Sequence, residues 1–491
     1  MSSAEVPNHT PVLVGIGTAG QREDDPARAP EAMDLMLEAA AAAGRDSRAA
    51  ATLPGVQWIA VPAGRWSYRN PAAEIALAAG AERPTTVLSS VGVLQQSLIN
   101  EACERISRGL IHTALVVGGD AGHRLRRAQI AGITATERTQ AIDADIRLEP
   151  AAELRHPAER AARLRMPVGL YAILDSARRA ARGTGIDAHR TELAELGARF
   201  SAIAADNPHA WFRRRAEPAS IREASAANPM QAFPYTRAHC SNWNVDQAAA
   251  LLFCSAGRAR ELGIARERWL FPLASAESNH MVPVSARAAL SACPGAALTG
   301  STVLEAAGLR AADIDLVDLY SCFPIAVTAF AEAIGLPACR DLTVTGGMAF
   351  AGGPYNNYLF QATCRAAELL REGKGRVALL SCVSGILTKQ AFFVLSAEPS
   401  PRGFARLDVS EAVARRSQAL DVIERFTGSG RVAGCTVLHG GEAAPRGVLL
   451  LDTPDGARAL ATTQDPGLVA RLQADEFVGR TVAVEQNTVV A

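Results

Sequence analysis

The residues with the clearest chemical potential lie at two places in the chain. Tyr320 and Cys322 stand two positions apart in "YSCF", directly after the apolar run "DIDLVDL". A phenol and a thiol can each act as an acid or a base, although Cys322 could equally be an ordinary buried thiol. Ser89 follows the strand-like run "TTVL" and precedes Gly92 by three residues. A serine hydroxyl attacks a substrate only with a base in hydrogen-bond reach, and the sequence shows none, so capping of a helix that begins at Gly92 by Ser89 and Ser90 is favoured.

The stretch 343–357, "TVTGGMAFAGGPYNN", predicts a glycine-rich turn in front of a helix. Free N–H groups at a helix N-terminus suit an oxyanion or a phosphate, and glycine allows a close backbone approach. Gly352 and Gly353 in this turn, and Gly385 in "SCVSG", are therefore candidate N–H donors to a carbonyl oxygen. Each of them could instead only shape a turn.

Composition excludes several classes of protein. The 491 residues include 50 basic and 50 acidic ones, and a zero net charge argues against binding of nucleic acid. No stretch reaches the roughly 18 apolar residues of a membrane helix, and the N-terminus has no signal-peptide pattern. None of the nine cysteines forms a C-x-x-C pair, so we expect reduced thiols in the cytoplasm and no metal site. Lys374 and Lys389 are the only lysines, so a phosphate-bearing ligand would be held mainly by arginine.

The pattern of apolar residues predicts an α/β protein in which the alternation of strands and helices is interrupted once. Apolar strands alternate with amphipathic helices up to residue 120, which indicates a mostly parallel sheet that is covered on both faces. Residues 121–235 are rich in Arg and Ala and mainly helical, after which the α/β rhythm resumes and continues to about residue 400. The remainder reads as short strands with one helix, typical of a small, partly open barrel. The helix–Gly–strand unit at 89–122 is repeated at 352–385, which favours two half-domains about a pseudo-two-fold axis.

At these residues the chain resembles the thiolase superfamily, and most of all the sterol-carrier-protein-type thiolases and thiolase-like proteins of type 1. The resemblance implies a five-layered αβαβα fold and a homodimer. It also implies boundaries: residues 1–120 with 236–270 for the N-terminal half, 121–235 for a helical insertion, 271–400 for the C-terminal half and 401–491 for an additional OB-like β domain. Five segments carry the resemblance: "TTVLSSVGVLQQSLINEACERISRG", "ALVVGGDAG", "NWNVDQAAALLFCSAGRARELG", "AAGLRAADIDLVDLYSCFPIAV" and "TVTGGMAFAGGPYNN".

The sequence departs from the family pattern at the reacting groups. Ser89 stands at the position of the thiolase nucleophile cysteine, and Gly353 replaces the histidine of Gly-His-Pro. In the His-Asp-Cys-Phe tetrad, Tyr320 replaces the histidine and Cys322 is kept. Asn242 falls near the serine that contacts pantetheine, and we expect it, with Tyr355, to contact substrate.

The resemblance implies an acyltransferase that acts on acyl-CoA thioesters, forms or breaks a carbon–carbon bond and needs no cofactor beyond the coenzyme A of its substrate. Ordinary acetyl-CoA acetyltransferase activity is not expected. Two alternatives remain open. One is a retro-aldolase on β-hydroxyacyl-CoA that uses Tyr320 and Tyr355 and a small partner protein. The other is an acyl-CoA binder without catalysis.

Overall fold

The computed structural model describes residues 6–337, 339–440 and 443–490. Its strands are β1 (Pro11–Gln21), β2 (Trp58–Pro62), β3 (Thr85–Ser89), β4 (Thr113–Ala121), β5 (Ile146–Leu148), β6 (Met230–Ala232), β7 (Tyr235–Thr236), β8 (Asp246–Ser255), β9 (Phe271–Ser278), β10 (Leu316–Asp318), β11 (Val377–Ser384), β12 (Lys389–Ser396), β13 (Ala405–Asp408), β14 (Val422–Ile423), β15 (Gly428–Gly440), β16 (Ala443–Asp452), β17 (Arg458–Thr463), β18 (Thr481–Glu485) and β19 (Thr488–Val490).

Its α-helices are α1 (Ala32–Asp46), α2 (Pro71–Ala79), α3 (Gln95–Ser107), α4 (Gly122–Ala131), α5 (Pro157–Ala161), α6 (Pro167–Ala181), α7 (Ile186–Asp206), α8 (Pro218–Arg222), α9 (Ala256–Glu261), α10 (Pro294–Ala307), α11 (Pro324–Ala333), α12 (Gly347–Phe350), α13 (Tyr358–Arg371), α14 (Ser410–Arg416) and α15 (Pro466–Ala474). None of the helices in the described ranges is long and apolar enough to cross a membrane.

Two sheets and three layers of helices form the main body. The first sheet has the order β1-β8-β4-β2-β3-β5 and the second the order β10-β11-β12-β9-β13. Helices α3 and α13 contact both sheets and each other, whereas α1 and α2 pack on the first sheet and α10 on the second. The layers therefore alternate α, β, α, β, α, and the two helix–strand units repeated in the sequence place α3 and α13 side by side in the middle layer.

Local sequence explains how these elements begin and end. β8 is buried at every position, as expected of a strand that is covered on both faces. α2 begins where the Asn70 side chain accepts a hydrogen bond from the N–H of Ala73 and Pro71 takes the first helical position. It ends at Gly80, whose φ of +69° suits glycine.

The C-terminal part has its own core, and five of its strands form a closed ring of pairings. β15 pairs with β16, β16 with β17, β17 with β19, β19 with β18, and β18 with β15. Sequence analysis predicts one helix after residue 400, and the described part of the chain has two: α15 within the C-terminal part and the short α14 before it. β6 also pairs with β15, so the hairpin of β6 and β7 joins this closed sheet to the main body.

The sheets do not follow the predicted boundaries at every strand. β5 lies in the segment predicted as the helical insertion but pairs with β3 of the first sheet. β13 lies beyond residue 400 but pairs with β9 of the second sheet. The boundaries themselves, and the OB-like character of the C-terminal part, stay predictions.

Candidate active site

A cavity of 930 Å³ brings together six of the eight residues predicted for the site. Its walls come from the segments that follow β7, β10 and β11, from the turn before α13, and from the start of α6. Among the residues that the structure describes, Ser89 and Gly352 do not line this cavity. The six that line it are Tyr320, Cys322, Gly353, Gly385, Asn242 and Tyr355.

Backbone hydrogen bonds hold three of these wall segments together. The N–H of Ser241 donates to the carbonyl of Cys322 at 3.1 Å, and the N–H of Asn242 donates to the carbonyl of Met348 at 3.0 Å. The N–H of Gly353 donates in turn to the carbonyl of Asn242 at 2.9 Å. Asn242 therefore connects the segment after β7 with the glycine-rich turn, in addition to lining the cavity.

A buried carboxylate fixes the turn against the end of β10. One oxygen of Asp318 accepts hydrogen bonds from the hydroxyls of Thr343 and Thr345 and from the N–H groups of Val344 and Thr345. The other accepts from the Tyr358 hydroxyl at 2.8 Å. Burial raises the pKa of Asp318, while these donors act against that rise. The glycine-rich turn that forms one wall of the cavity is therefore anchored by hydrogen bonds and is not a free loop.

Cys322 is a protonated thiol that faces a tyrosine of the inserted region. Burial raises the pKa of Cys322 to about 12. Tyr171, on α6, lines the same cavity close enough to Cys322 for the two groups to affect each other's pKa, and burial holds the pKa of this phenol well above its usual value. The Tyr171 ring stacks on Phe323 with centroids 4.4 Å apart. Both groups line the cavity in neutral form, so they can pass protons on but neither is an ionised nucleophile.

The two phenols predicted from the sequence lie elsewhere in the cavity. In the described part of the chain, the partner of the Tyr320 hydroxyl is the Gln95 amide, at 3.5 Å. Burial keeps the pKa of Tyr320 well above its usual value. Tyr355 lies beside Trp243, with ring centroids 6.3 Å apart, and Arg65 lies 5.9 Å from its ring. The structure thus places Tyr320 at the floor and Tyr355 at the rim.

The predicted cap by Ser89 and Ser90 is wrong. α3 begins at Gln95 and its N-cap is Leu94, because Gly92, with a φ of +104°, turns the chain before the helix starts. Ser89 is fully buried at the end of β3, and its hydroxyl has no hydrogen-bond partner among the described residues. None of the described residues therefore serves as its base.

Lys389 contacts the backbone turn at Gly92. Its ammonium donates a hydrogen bond to the Gly92 carbonyl. Burial lowers the pKa of Lys389, although nothing in its sequence neighbourhood indicated this.

The three candidate N–H donors differ in availability. The N–H of Gly353 is bonded to Asn242, so it is not available to a ligand. A Cβ at this position would lie 2.2 Å from the Ser241 hydroxyl, so a larger residue would displace that side chain. Gly352 packs against the Gln247 side chain outside the cavity lining. Gly385 lines the cavity with a φ of +57°, and its carbonyl accepts a hydrogen bond from Arg287.

Exposed arginines stand at the rim of the cavity. Arg214 and Arg237 line it, and within the described ranges neither forms an ion pair with a carboxylate. Trp243, 36% exposed, lies at the same rim. No cluster of three or more potential metal ligands occurs in the parts of the chain that the structure describes. The rim suits an anionic ligand such as a phosphate.

Sequence reasoning missed the residues that act across long separations. Nothing in the helix "PVGLYAILDSARRAA" distinguishes Tyr171 from an ordinary core tyrosine, since its partner lies 151 positions away. Asp318 carried a visible signal, because an acidic residue inside an apolar strand run needs partners when it is buried.

No protein-family model and no curated protein sequence matches the chain. Among solved structures, the chain is similar to one described as a monomeric SCP2-thiolase-like protein type 1 from Mycobacterium smegmatis, with a TM-score of 0.84 and 26% identity over 99% of this chain and 100% of that one. It is also similar to the Ltp2-ChsH2(DUF35) aldolase, with a TM-score of 0.60 and 16% identity over 80% of this chain and 98% of that one. Human mitochondrial 3-ketoacyl-CoA thiolase gives a TM-score of 0.57 and 16% identity over 79% of this chain and 99% of that one.

The two structures at 16% identity show the fold alone, and they agree with the layering described above. The chain has the five-layered thiolase fold and resembles the thiolase superfamily, with similarity to an SCP2-thiolase-like protein along almost its whole length.

Proposed function

We propose that this protein acts on acyl-CoA thioesters and breaks or forms a carbon–carbon bond by proton transfer, without a covalent acyl-enzyme. The observation that supports this most strongly is the contrast in position between the Cys322 pair and Ser89. Cys322 and its tyrosine partner are neutral acid–base groups inside the cavity, whereas Ser89 is buried outside its lining. Of the functions predicted from the sequence, the retro-aldolase fits this arrangement better than acyl transfer.

Covalent acyl transfer needs a nucleophile that can be ionised. Thiolate, not thiol, is the attacking species, and a pKa of about 12 leaves Cys322 protonated near neutral pH. A serine nucleophile needs a base within reach, and the Ser89 hydroxyl has no partner in the described ranges. Neither group meets the requirement of an acyl-enzyme.

Retro-aldol cleavage of a β-hydroxyacyl thioester has no such requirement. The β-hydroxyl loses its proton and becomes a carbonyl, the bond between the α and β carbons breaks, and the α-carbon takes up a proton. The products are a shorter acyl thioester and an aldehyde or ketone, so no oxidant or reductant is consumed. The Gly385 N–H remains the candidate donor to the thioester oxygen.

The rim supports coenzyme A as the carrier of the acyl group. Arg214 and Arg237 offer two guanidinium groups to phosphates, and Trp243 offers an aromatic face. One of the solved thiolase structures similar to this chain, the human mitochondrial enzyme, is described as a complex with CoA.

The test is incubation with a panel of β-hydroxyacyl-CoA esters, followed by mass spectrometry of the esters, of trapped aldehydes and ketones, and of the intact protein. We expect a shortened ester and a carbonyl product without a protein adduct. Replacement of Cys322 by alanine should abolish cleavage, whereas Cys103→Ala, a buried thiol on α3, should not. An acyl adduct on Ser89 or Cys322 with release of CoA would establish acyl transfer instead, and binding without either product would leave a binder.

The homodimer and the small partner protein stay predictions. The SCP2-thiolase-like protein of the comparison is described as monomeric. In this chain, β5 pairs with β3, so that edge of β3 is not free to pair with a second copy of the chain. Light scattering after size exclusion decides, since a monomer has a mass of 51.6 kDa and a dimer has twice that mass.

A further inference from the structure

We propose that Tyr171 and Cys322 form a proton relay that carries the β-hydroxyl proton of the substrate to its α-carbon. This inference rests on the proposed carbon–carbon cleavage. It assigns a catalytic role to a residue of the inserted region that neither the sequence pattern nor the resemblance indicates. The two residues come from α6 and from the segment after β10, and they meet in the cavity wall.

The position of the Tyr171 hydroxyl is fixed before any substrate binds. Its ring is 4% exposed and lies against Phe323, which in turn stacks on Tyr235 with centroids 5.9 Å apart. The far side of α6 packs on β15, where the Ser176 hydroxyl accepts a hydrogen bond of 2.9 Å from the N–H of Cys435. The C-terminal closed sheet thus supports the helix that carries Tyr171. A group held this rigidly suits proton transfer, because its orientation needs no further ordering.

The neutrality of the pair selects a relay over a single base. Burial keeps both groups protonated near neutral pH, so neither can accept a proton without giving one away. The two groups are neighbours in the cavity wall, because the Tyr171 ring stacks on Phe323, the residue that follows Cys322. Tyr320 and Tyr355 are less suited, since the Tyr320 hydroxyl faces Gln95 and Tyr355 lies at the rim.

The step balances as a set of concerted transfers. The β-hydroxyl proton moves to the Tyr171 oxygen, the Tyr171 proton moves to the Cys322 sulfur, and the Cys322 proton moves to the α-carbon. The electrons of the broken O–H bond form the carbonyl π bond, and those of the broken carbon–carbon bond form the new C–H bond. Both protein groups are neutral again at the end, so no external acid or base is consumed.

The experiment compares Tyr171→Phe with Tyr235→Phe, which removes the same hydroxyl from the other aromatic ring that stacks on Phe323. We expect Tyr171→Phe to lower kcat about 100-fold or more, the usual share of a general acid–base group. Its KM should stay within a few-fold of the wild-type value, and Tyr235→Phe should cleave as the wild type does. Cys322→Ser should retain more activity than Cys322→Ala, because a hydroxyl can still pass a proton.

A second readout does not depend on turnover. Difference infrared spectra between the wild type and Cys322→Ala identify the S–H stretching band of Cys322, and this band should shift in Tyr171→Phe but not in Tyr235→Phe. An unshifted band overturns the pair. Cleavage that survives Tyr171→Phe overturns the relay alone, whereas absence of cleavage by the wild-type protein overturns the proposed function and the relay with it.

Discussion

Replacement of Ser89 by alanine separates a catalytic serine from a buried one. Ser89 stands at the position of the thiolase nucleophile, but its side chain is fully buried and its hydroxyl has no partner among the described residues. We expect Ser89→Ala to leave carbon–carbon cleavage unchanged and to stabilise the fold. The reason is that alanine removes a polar group that lost its water on folding and gained no hydrogen bond in return.

The expected gain in unfolding free energy for Ser89→Ala is about 1–3 kcal/mol, the cost of leaving a buried polar group unpaired. Ser255→Ala is the matched control. Ser255 also ends a strand and is 2% exposed, but its hydroxyl accepts a hydrogen bond of 3.2 Å from the N–H of Arg258 and caps α9. Loss of such a cap destabilises by about 1 kcal/mol. The two variants should therefore differ by about 2–4 kcal/mol, in opposite directions from the wild type.

Urea unfolding followed by circular dichroism measures both changes in the unfolding free energy, and the cleavage assay measures activity on the same preparations. The urea midpoint should rise for Ser89→Ala and fall for Ser255→Ala, with equal slopes. If Ser89→Ala lowers the midpoint as Ser255→Ala does, the hydroxyl has a partner and the reasoning is refuted. If the Ser89→Ala protein folds but no longer cleaves the substrate, Ser89 is catalytic and the proposed function is wrong.

Three further predictions concern charge. Burial raises the pKa of Asp246 to about 7, above its unfolded value, so stability should fall by about 4 kcal/mol as the pH rises from about 4 to 7. Asp246→Asn should flatten this part of the curve of unfolding free energy against pH, and an unchanged slope would contradict the burial argument. Arg214→Ala should weaken binding of a CoA ester about 10-fold in calorimetry at low salt, or about 1.4 kcal/mol, whereas Arg215→Ala, outside the cavity lining, should not; equal effects would exclude a specific phosphate contact. Asp318→Ala should cost about 3 kcal/mol or more in urea unfolding, because it leaves the buried donors of the turn unpaired. The control variant Asp313→Ala removes an exposed ion pair and a hydrogen bond to the N–H of Arg310, and it should cost about 1 kcal/mol or less. An equally small loss for Asp318→Ala would refute the anchoring role.

Much of the fold could be predicted from local pattern. The alternation of apolar strands and amphipathic helices, the repeated unit around α3 and α13, and the helix α15 all follow from periodicity, which depends on residues that are near one another in the sequence. The turn before α13 followed from its glycines, and the placement of Tyr320 and Cys322 just beyond a strand followed from the apolar run that precedes them. The start of α3 did not, since the backbone turn at Gly92 depends on Lys389, which contacts it from 297 positions away.

The sequence by itself determined the alternation of strands and helices, and its resemblance to thiolases implied the order of the layers. Only the tertiary structure decided the state of the reacting groups. Cys322 is a neutral thiol because the surrounding core removes water from it, and its partner is Tyr171 because α6 is packed between Phe323 and the C-terminal sheet. Burial sets a pKa and long-range packing sets which group lies next to it, and neither can be read from the types or spacing of residues that are near in the sequence.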